Sequence, residues 1–148
     1  MLFASGRRLF TIACLATILV AILHTIGNVV PGGEPPEMLM LFGAMQGYHV
    51  PLGIGMAPSI WDIFRGLVFT MTICLLGIGV FGLVIAADRD ATPRLLSRVA
   101  LVLAIMSAVL TALYYYYRIP PPLISMVVVT LLYAGAVKTT AAAKSSSM

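Results

Sequence analysis

Charge is the scarcest property of this 148-residue chain: only 9% of its residues are Asp, Glu, Lys or Arg. Soluble domains carry about 25%, so an autonomous water-soluble domain is excluded. Cysteine is limited to two residues, which excludes a disulfide scaffold. Cys14 and Cys74 both lie in hydrophobic runs. At about 1.5 Å per residue they stand about 7 Å and about 19 Å from the inner ends of their spans. That separation forbids a disulfide, and both are expected to be small packing residues. Histidine is limited to His24 and His49. Neither Cys-x-x-Cys-His nor Glu-x-x-His occurs. No cofactor, metal site or catalytic set is therefore expected; the alternative is a haem or chlorophyll held through His24 or His49. The basic residues form no stripe, so nucleic acid is excluded as a partner despite a pI of about 9.4.

What is abundant is apolar side chain, at 61% of the sequence. It falls into four runs, 9–30, 63–87, 99–117 and 123–143. Each approaches the roughly 20 residues needed to cross a bilayer. The expected fold is all-α: a four-helix transmembrane bundle, up-down-up-down, forming a single integral membrane domain over 1–148. A long external loop, 31–62, is expected to carry a short amphipathic or interfacial helix. Arg7-Arg8 ahead of the first run resemble a signal peptide. However, the run is too long for an h-region and no Ala-x-Ala precedes Gly27-Asn28, so the span is expected to be retained. Arg7, Arg8, Arg89, Arg94, Arg98, Lys138 and Lys144 fall on one side of this topology, and only Arg65 and Arg118 on the other. The positive-inside rule then puts both termini in the cytoplasm.

The external loop opens with Pro31-Gly32-Gly33-Glu34-Pro35-Pro36, followed by the apolar stretch Glu37 to Gln46. A helix that greasy lies on the membrane or folds over the bundle. Its Met38, Leu41, Phe42 and Met45 are the expected partner-facing residues. Residues 47–58 are rich in Gly and Pro yet apolar. Irregular backbone of that kind is tolerable only where protein or water satisfies it, which suggests a lid or a partner-facing surface. Gly77-Ile78-Gly79-Val80-Phe81-Gly82 matches the dinucleotide fingerprint letter for letter. It lies inside a span, without the strand and helix start the fingerprint needs. It reads instead as a smooth helix face, with Gly79 and Gly82 on one side, that admits a neighbour closely.

The polar residues near the outer side are the candidate functional set. His24 and Asn28 stand one turn apart at the end of span one. Ser59-Ile60-Trp61-Asp62-Ile63-Phe64-Arg65-Gly66 begins span two. Ser59 is expected to cap that helix with Asp62 at N3, and Trp61 to anchor it at the interface. Arg65 opposes the helix dipole and needs a partner: Asp62, a bundle tyrosine or a partner's acid, in that order. Tyr114-Tyr115-Tyr116-Tyr117 cover every face of a helix end, so at least one must turn inward. Arg118 and Pro120-Pro121-Pro122 follow as a stiff reversal that cannot extend the helix.

Ser59-x-Trp61-Asp62 with Gly66, the aromatic-Pro-Pro turn, His24-Thr25 and the Met-rich external helix together resemble a family of small four-span bacterial membrane proteins. That family is largely uncharacterised. The resemblance covers about 9–136 and implies the topology and a bacterial inner-membrane location. Arg65 departs from the pattern, in which an uncharged residue often stands there. Two functions are compatible with these features. The first is a non-catalytic accessory subunit packing against a larger integral membrane complex or forming a homo-oligomer. The alternative is a pocket for a lipid, quinone or sterol-like molecule. It would be lined by His24, Asn28, Asp62, Arg65 and tyrosines from Tyr114 to Tyr117, beneath the 38–58 segment. A His and Asp proton pair there would permit isomerisation, though no spacing demands it.

Overall fold

The computed structural model describes residues 2–29, 33–53 and 55–145, with side chains over 5–28, 33–53 and 55–141. The elements among them are α1 (Leu2–Val29), α2 (Pro36–Gly47), α3 (Ile60–Ala87), α4 (Pro93–Tyr116) and α5 (Pro120–Ser145). Helices α1, α3, α4 and α5 are long and apolar enough to cross a membrane. In hydrocarbon a helix satisfies every backbone group within its own segment, which is why the apolar runs become helices whatever their β-propensity. The helices run past the apolar runs. α3 begins at Ile60, as the Ser59 cap implies, and α4 at Pro93, ahead of the apolar runs that start at Ile63 and Val99. Hydropathy marks the hydrocarbon, whereas caps mark the helix.

Those caps are local chemistry. Thr92 precedes α4, and its hydroxyl accepts the Leu95 N–H at 3.2 Å. Pro93 then occupies the first turn, where no N–H is missed. The same logic corrects the expectation for Pro120-Pro121-Pro122. The prolines do not merely precede a helix; they form the first turn of α5. Arg118 ends α4 in the left-handed region at φ 55. The N–H of Ile119 reaches the Tyr114 carbonyl at 3.0 Å, and that of Arg118 the Tyr115 carbonyl at 3.1 Å. This is a Schellman closure with arginine where glycine is usual.

The chain divides into two bodies, Met1–Ala21 with Leu75–Met148, and Ile22–Cys74. The first is a bundle of four helices. α1 lies against α3 at Gly79 and Gly82, and against α5 at Gly6 and Gly135. α5 returns along α4, where Thr111 and Thr130 hydroxyls stand 3.3 Å apart. Contacts such as Gly6 with Thr140 and Leu9 with Gly135 run in opposite senses, so the helices are antiparallel neighbours, up-down-up-down. Arg7 of α1 donates to the Ala91 carbonyl of the α3–α4 turn at 3.1 Å, which puts that turn beside the start of α1. Phe10, Leu96, Met126, Val129 and Tyr133 fill the core.

Packing in this body depends on glycine. A Cβ on Gly79 would stand 2.5 Å from Ile18 Cγ1 and 3.1 Å from the Cys14 carbonyl oxygen. One on Gly82 would overlap the Cys14 sulfur. Gly77, two residues before Gly79, has nothing within 4 Å. Cys14 is thus the packing residue expected of it, whereas Cys74 is exposed, which corrects the same expectation there. Gly79→Ala should destabilise by about 1–3 kcal/mol, the usual cost of overpacking a rigid wall. Gly77→Ala should be neutral or gain up to about 1 kcal/mol from helix propensity. Unfolding of each variant in detergent checks the contrast.

Candidate functional site

The second body, Ile22–Cys74, holds most of the polar residues singled out above. Ser59 caps α3 in a reciprocal box. Its hydroxyl accepts the Asp62 N–H at 3.1 Å, while the Asp62 carboxylate takes the Ser59 N–H at 3.0 Å and the Ser59 hydroxyl at 2.7 Å. Asp62 is therefore occupied with starting the helix. Ser59 is itself buried, while Asp62 is exposed.

The segment before the box solves the backbone problem of an apolar loop without borrowing from elsewhere. The Val50 N–H reaches the Pro58 carbonyl at 2.9 Å, the Leu52 N–H that of Met56 at 3.0 Å, and the Ile60 N–H that of Tyr48 at 3.0 Å. His49 and Ser59 form an isolated antiparallel bridge. The chain reverses through Gly53 (φ 75) and Gly55 (φ 77), a region where a side chain is strained. His49 Nδ1 lies 3.3 Å from the Gly47 carbonyl, held by its own loop.

Trp61 sits between two rings, 4.9 Å from Phe42 of α2 and 5.7 Å from Phe64, centroid to centroid. It ties α2 to the start of α3. Beyond that contact α2 has no buried residue. Met38 is 39% exposed, Leu41 53% and Met40 76%, while Phe42 and Met45 are half-buried. The polar Glu37 and Gln46 lie at its two ends rather than along one face, so α2 is apolar all round and not amphipathic.

Arg65 corrects the order expected for it. Its guanidinium lies 5.7 Å over the Phe69 ring, one turn along the same helix. No ion pair joins it to Asp62 among the described residues. The capping box has already taken the carboxylate, and an aromatic face is the nearest substitute for an anion. His24 is half-buried, and its Nε2 is buried without a hydrogen-bond partner among the described residues. Asn28 is exposed and turns back on its own helix, donating to the His24 carbonyl at 2.7 Å. Among the described residues no hydrogen bond or ion pair links His24 or Asn28 to Asp62 or Arg65. Among the described residues no group of three His, Cys, Asp or Glu stands close enough to hold a metal.

The tyrosine run belongs to the first body. Tyr114 is the one that turns inward, packing against the core, while Tyr115, Tyr116 and Tyr117 are 74%, 76% and 66% exposed. Tyr116 and Tyr117 meet edge to face at 5.1 Å. Arg118 is accounted for by the Schellman closure, with its cation at the C-terminal end of α4, where the dipole favours it.

Tyr133 was not in the expected set. It is buried, and its hydroxyl meets Thr17 Oγ1 at 3.1 Å and Cys14 Sγ at 3.7 Å. Thr17 spends its proton on the Ala13 carbonyl at 2.9 Å, so Tyr133 is the donor to Thr17. A cavity of about 20 Å³, room for about one water, lies beside it near Ser107. The signal was present: Thr17 and Tyr133 are polar groups in mid-span, where an interhelical bond is their natural outlet. Thr25 and Thr72, 3.0 Å apart, join α1 to α3 in the same way in the second body.

These features define an integral membrane protein with four spanning helices and a short apolar helix between the first two. No protein-family model, curated protein or solved structure matches the chain. Ser59→Ala should remove the cap and lower stability by about 1 kcal/mol, read as a lower unfolding midpoint in detergent. Ser59→Thr, which keeps the hydroxyl, should lose less.

Proposed function

We propose that this protein is a non-catalytic accessory subunit that packs against a larger integral membrane protein through α2 and the start of α3. The observation that carries this reading is α2 itself: twelve residues, apolar on every side, with none buried. Such a surface marks an interaction site, and methionines at 38, 40 and 45 give it the adaptability of a protein-binding face. Trp61 holds the surface in place through Phe42. The distribution of Lys and Arg supports a bacterial inner-membrane protein with both termini inside, as the family resemblance implies.

The pocket reading has one specific support, the buried Nε2 of His24, which has no partner among the described residues. Against it, Asp62, Asn28 and Arg65 are each engaged locally. A photo-crosslinking residue at Met40 separates the two. In native membranes it should capture one larger protein, while the same probe at the exposed Val84 should not. Phe42→Ala with Trp61→Ala should reduce the yield at Met40 several-fold. Crosslinks only to lipid, or only between copies of this chain, contradict the subunit reading. Loss of an extractable quinone or lipid on His24→Ala would favour the pocket.

A further inference from the structure

The end of the first body where α4 begins and α5 finishes carries a cleft of about 190 Å³. Its walls are Pro93, Arg94, Ser97, Arg98, Thr140 and Ala141. We propose that this cleft binds the phosphate of an anionic phospholipid headgroup, which Arg94 and Arg98 hold from one side.

Three observations carry this assignment. The first is charge without a partner. Arg94 and Arg98 are one turn apart on α4, so their guanidinium groups project from the same face. Among the described residues no carboxylate stands within ion-pair distance of either. The acids of the adjoining turn, Asp88 and Asp90, do not neutralise them; Asp88 Oδ1 instead accepts the Asp90 N–H at 2.9 Å. Two guanidinium groups present paired donors in a planar fork that matches phosphate oxygens. The second is the donor inventory. The Ser97 hydroxyl has no partner among the described residues and remains free to donate. Thr140 is different: its proton goes to the Ala136 carbonyl at 2.7 Å, so it forms wall rather than ligand. Pro93 carries no N–H and the Leu95 N–H is taken by Thr92, so the first turn of α4 adds little to the donors of the cleft.

The third is position and size. Arg94 and Arg98 lie just ahead of the apolar run of α4 that begins at Val99, and Thr140 and Ala141 lie near the end of the apolar run of α5. The cleft therefore lies at the depth where acyl chain gives way to headgroup. Its volume suits a phosphate with part of a glycerol, and falls short of the roughly 300–1,000 Å³ of drug-like ligand sites. Pro93 and Ala141 supply an apolar edge on which a chain can run. Basic recesses between spanning helices at a membrane surface bind anionic headgroups through the same chemistry.

The test uses the full chain purified in detergent, titrated with phosphatidylglycerol or with phosphatidylcholine of the same acyl chains, with bound lipid counted by native mass spectrometry. Phosphatidylglycerol should bind in clear preference, and Arg94→Ala with Arg98→Ala should weaken it by about fivefold per arginine. Arg8→Ala with Arg89→Ala removes the same charge outside the cleft and should leave the preference in place. Should the alanine pair unfold, Arg94→Lys with Arg98→Lys keeps the charge and should still lose affinity by a few-fold, because the fork is gone. Equal binding of the two lipids by the natural chain overturns the proposal, as does equal loss in the two charge-matched pairs. Inorganic phosphate that raises the unfolding midpoint as far as phosphatidylglycerol does would assign the cleft to free phosphate and overturn the lipid assignment.

Discussion

The close approach of α1 and α3 at Gly79 and Gly82 is the contact on which the rest of the first body depends. In a bilayer the surrounding hydrocarbon is as apolar as leucine, so burial alone does not bring two helices together. Dispersion between closely fitted surfaces does, and it falls off over fractions of an ångström. Glycine at these two positions lets the Ile18 and Cys14 side of α1 sit against the α3 backbone. That placement sets Cys14 beside Tyr133, and so directs the buried Tyr133 hydroxyl to Thr17. It also leaves α5 to close on α1 at Gly6 and Gly135. Polar contacts in this body are few and follow the packing rather than cause it.

The second body shows the opposite economy. Its loop pairs its own backbone through Val50, Leu52 and Ile60, and its capping box consumes both Ser59 and Asp62. Polar groups that looked available for chemistry are thereby committed to local structure. The apolar groups are not: α2 buries nothing, and is fixed to α3 chiefly by the Phe42–Trp61 ring contact. The result is a helix surface that is apolar and, among the described residues, uncovered.

Much of this was legible in the sequence. Apolar runs give the four spans, because length and hydropathy alone decide what can cross a bilayer. Ser59 with Asp62 three residues on is a local signal, and local signals survive folding. The tight glycines were legible as a face, though not which helix would fill it. Other features were hidden for physical reasons. Arg65 lies over Phe69 because Asp62 had already been claimed, a competition that spacing does not display. Tyr133 and Thr17 are 116 residues apart, and only helix rotation brings them together. Arg118 reads as a functional cation in the sequence, yet its position at φ 55 makes it a helix terminus first.

The most direct test of the packing account is a double-mutant cycle between Gly82 and Cys14, read as unfolding free energy in detergent. A Cβ on Gly82 would overlap the Cys14 sulfur, whereas its next neighbours, Cys14 Cβ and Phe10 Cζ, would stand at an ordinary 3.6 Å. Gly82→Ala should therefore destabilise the natural chain and cost nothing in a Cys14→Ala background. The expected coupling is about 0.5–3 kcal/mol, the range for residues in direct contact. An equal loss in both backgrounds would contradict the claim that this helix contact organises the bundle.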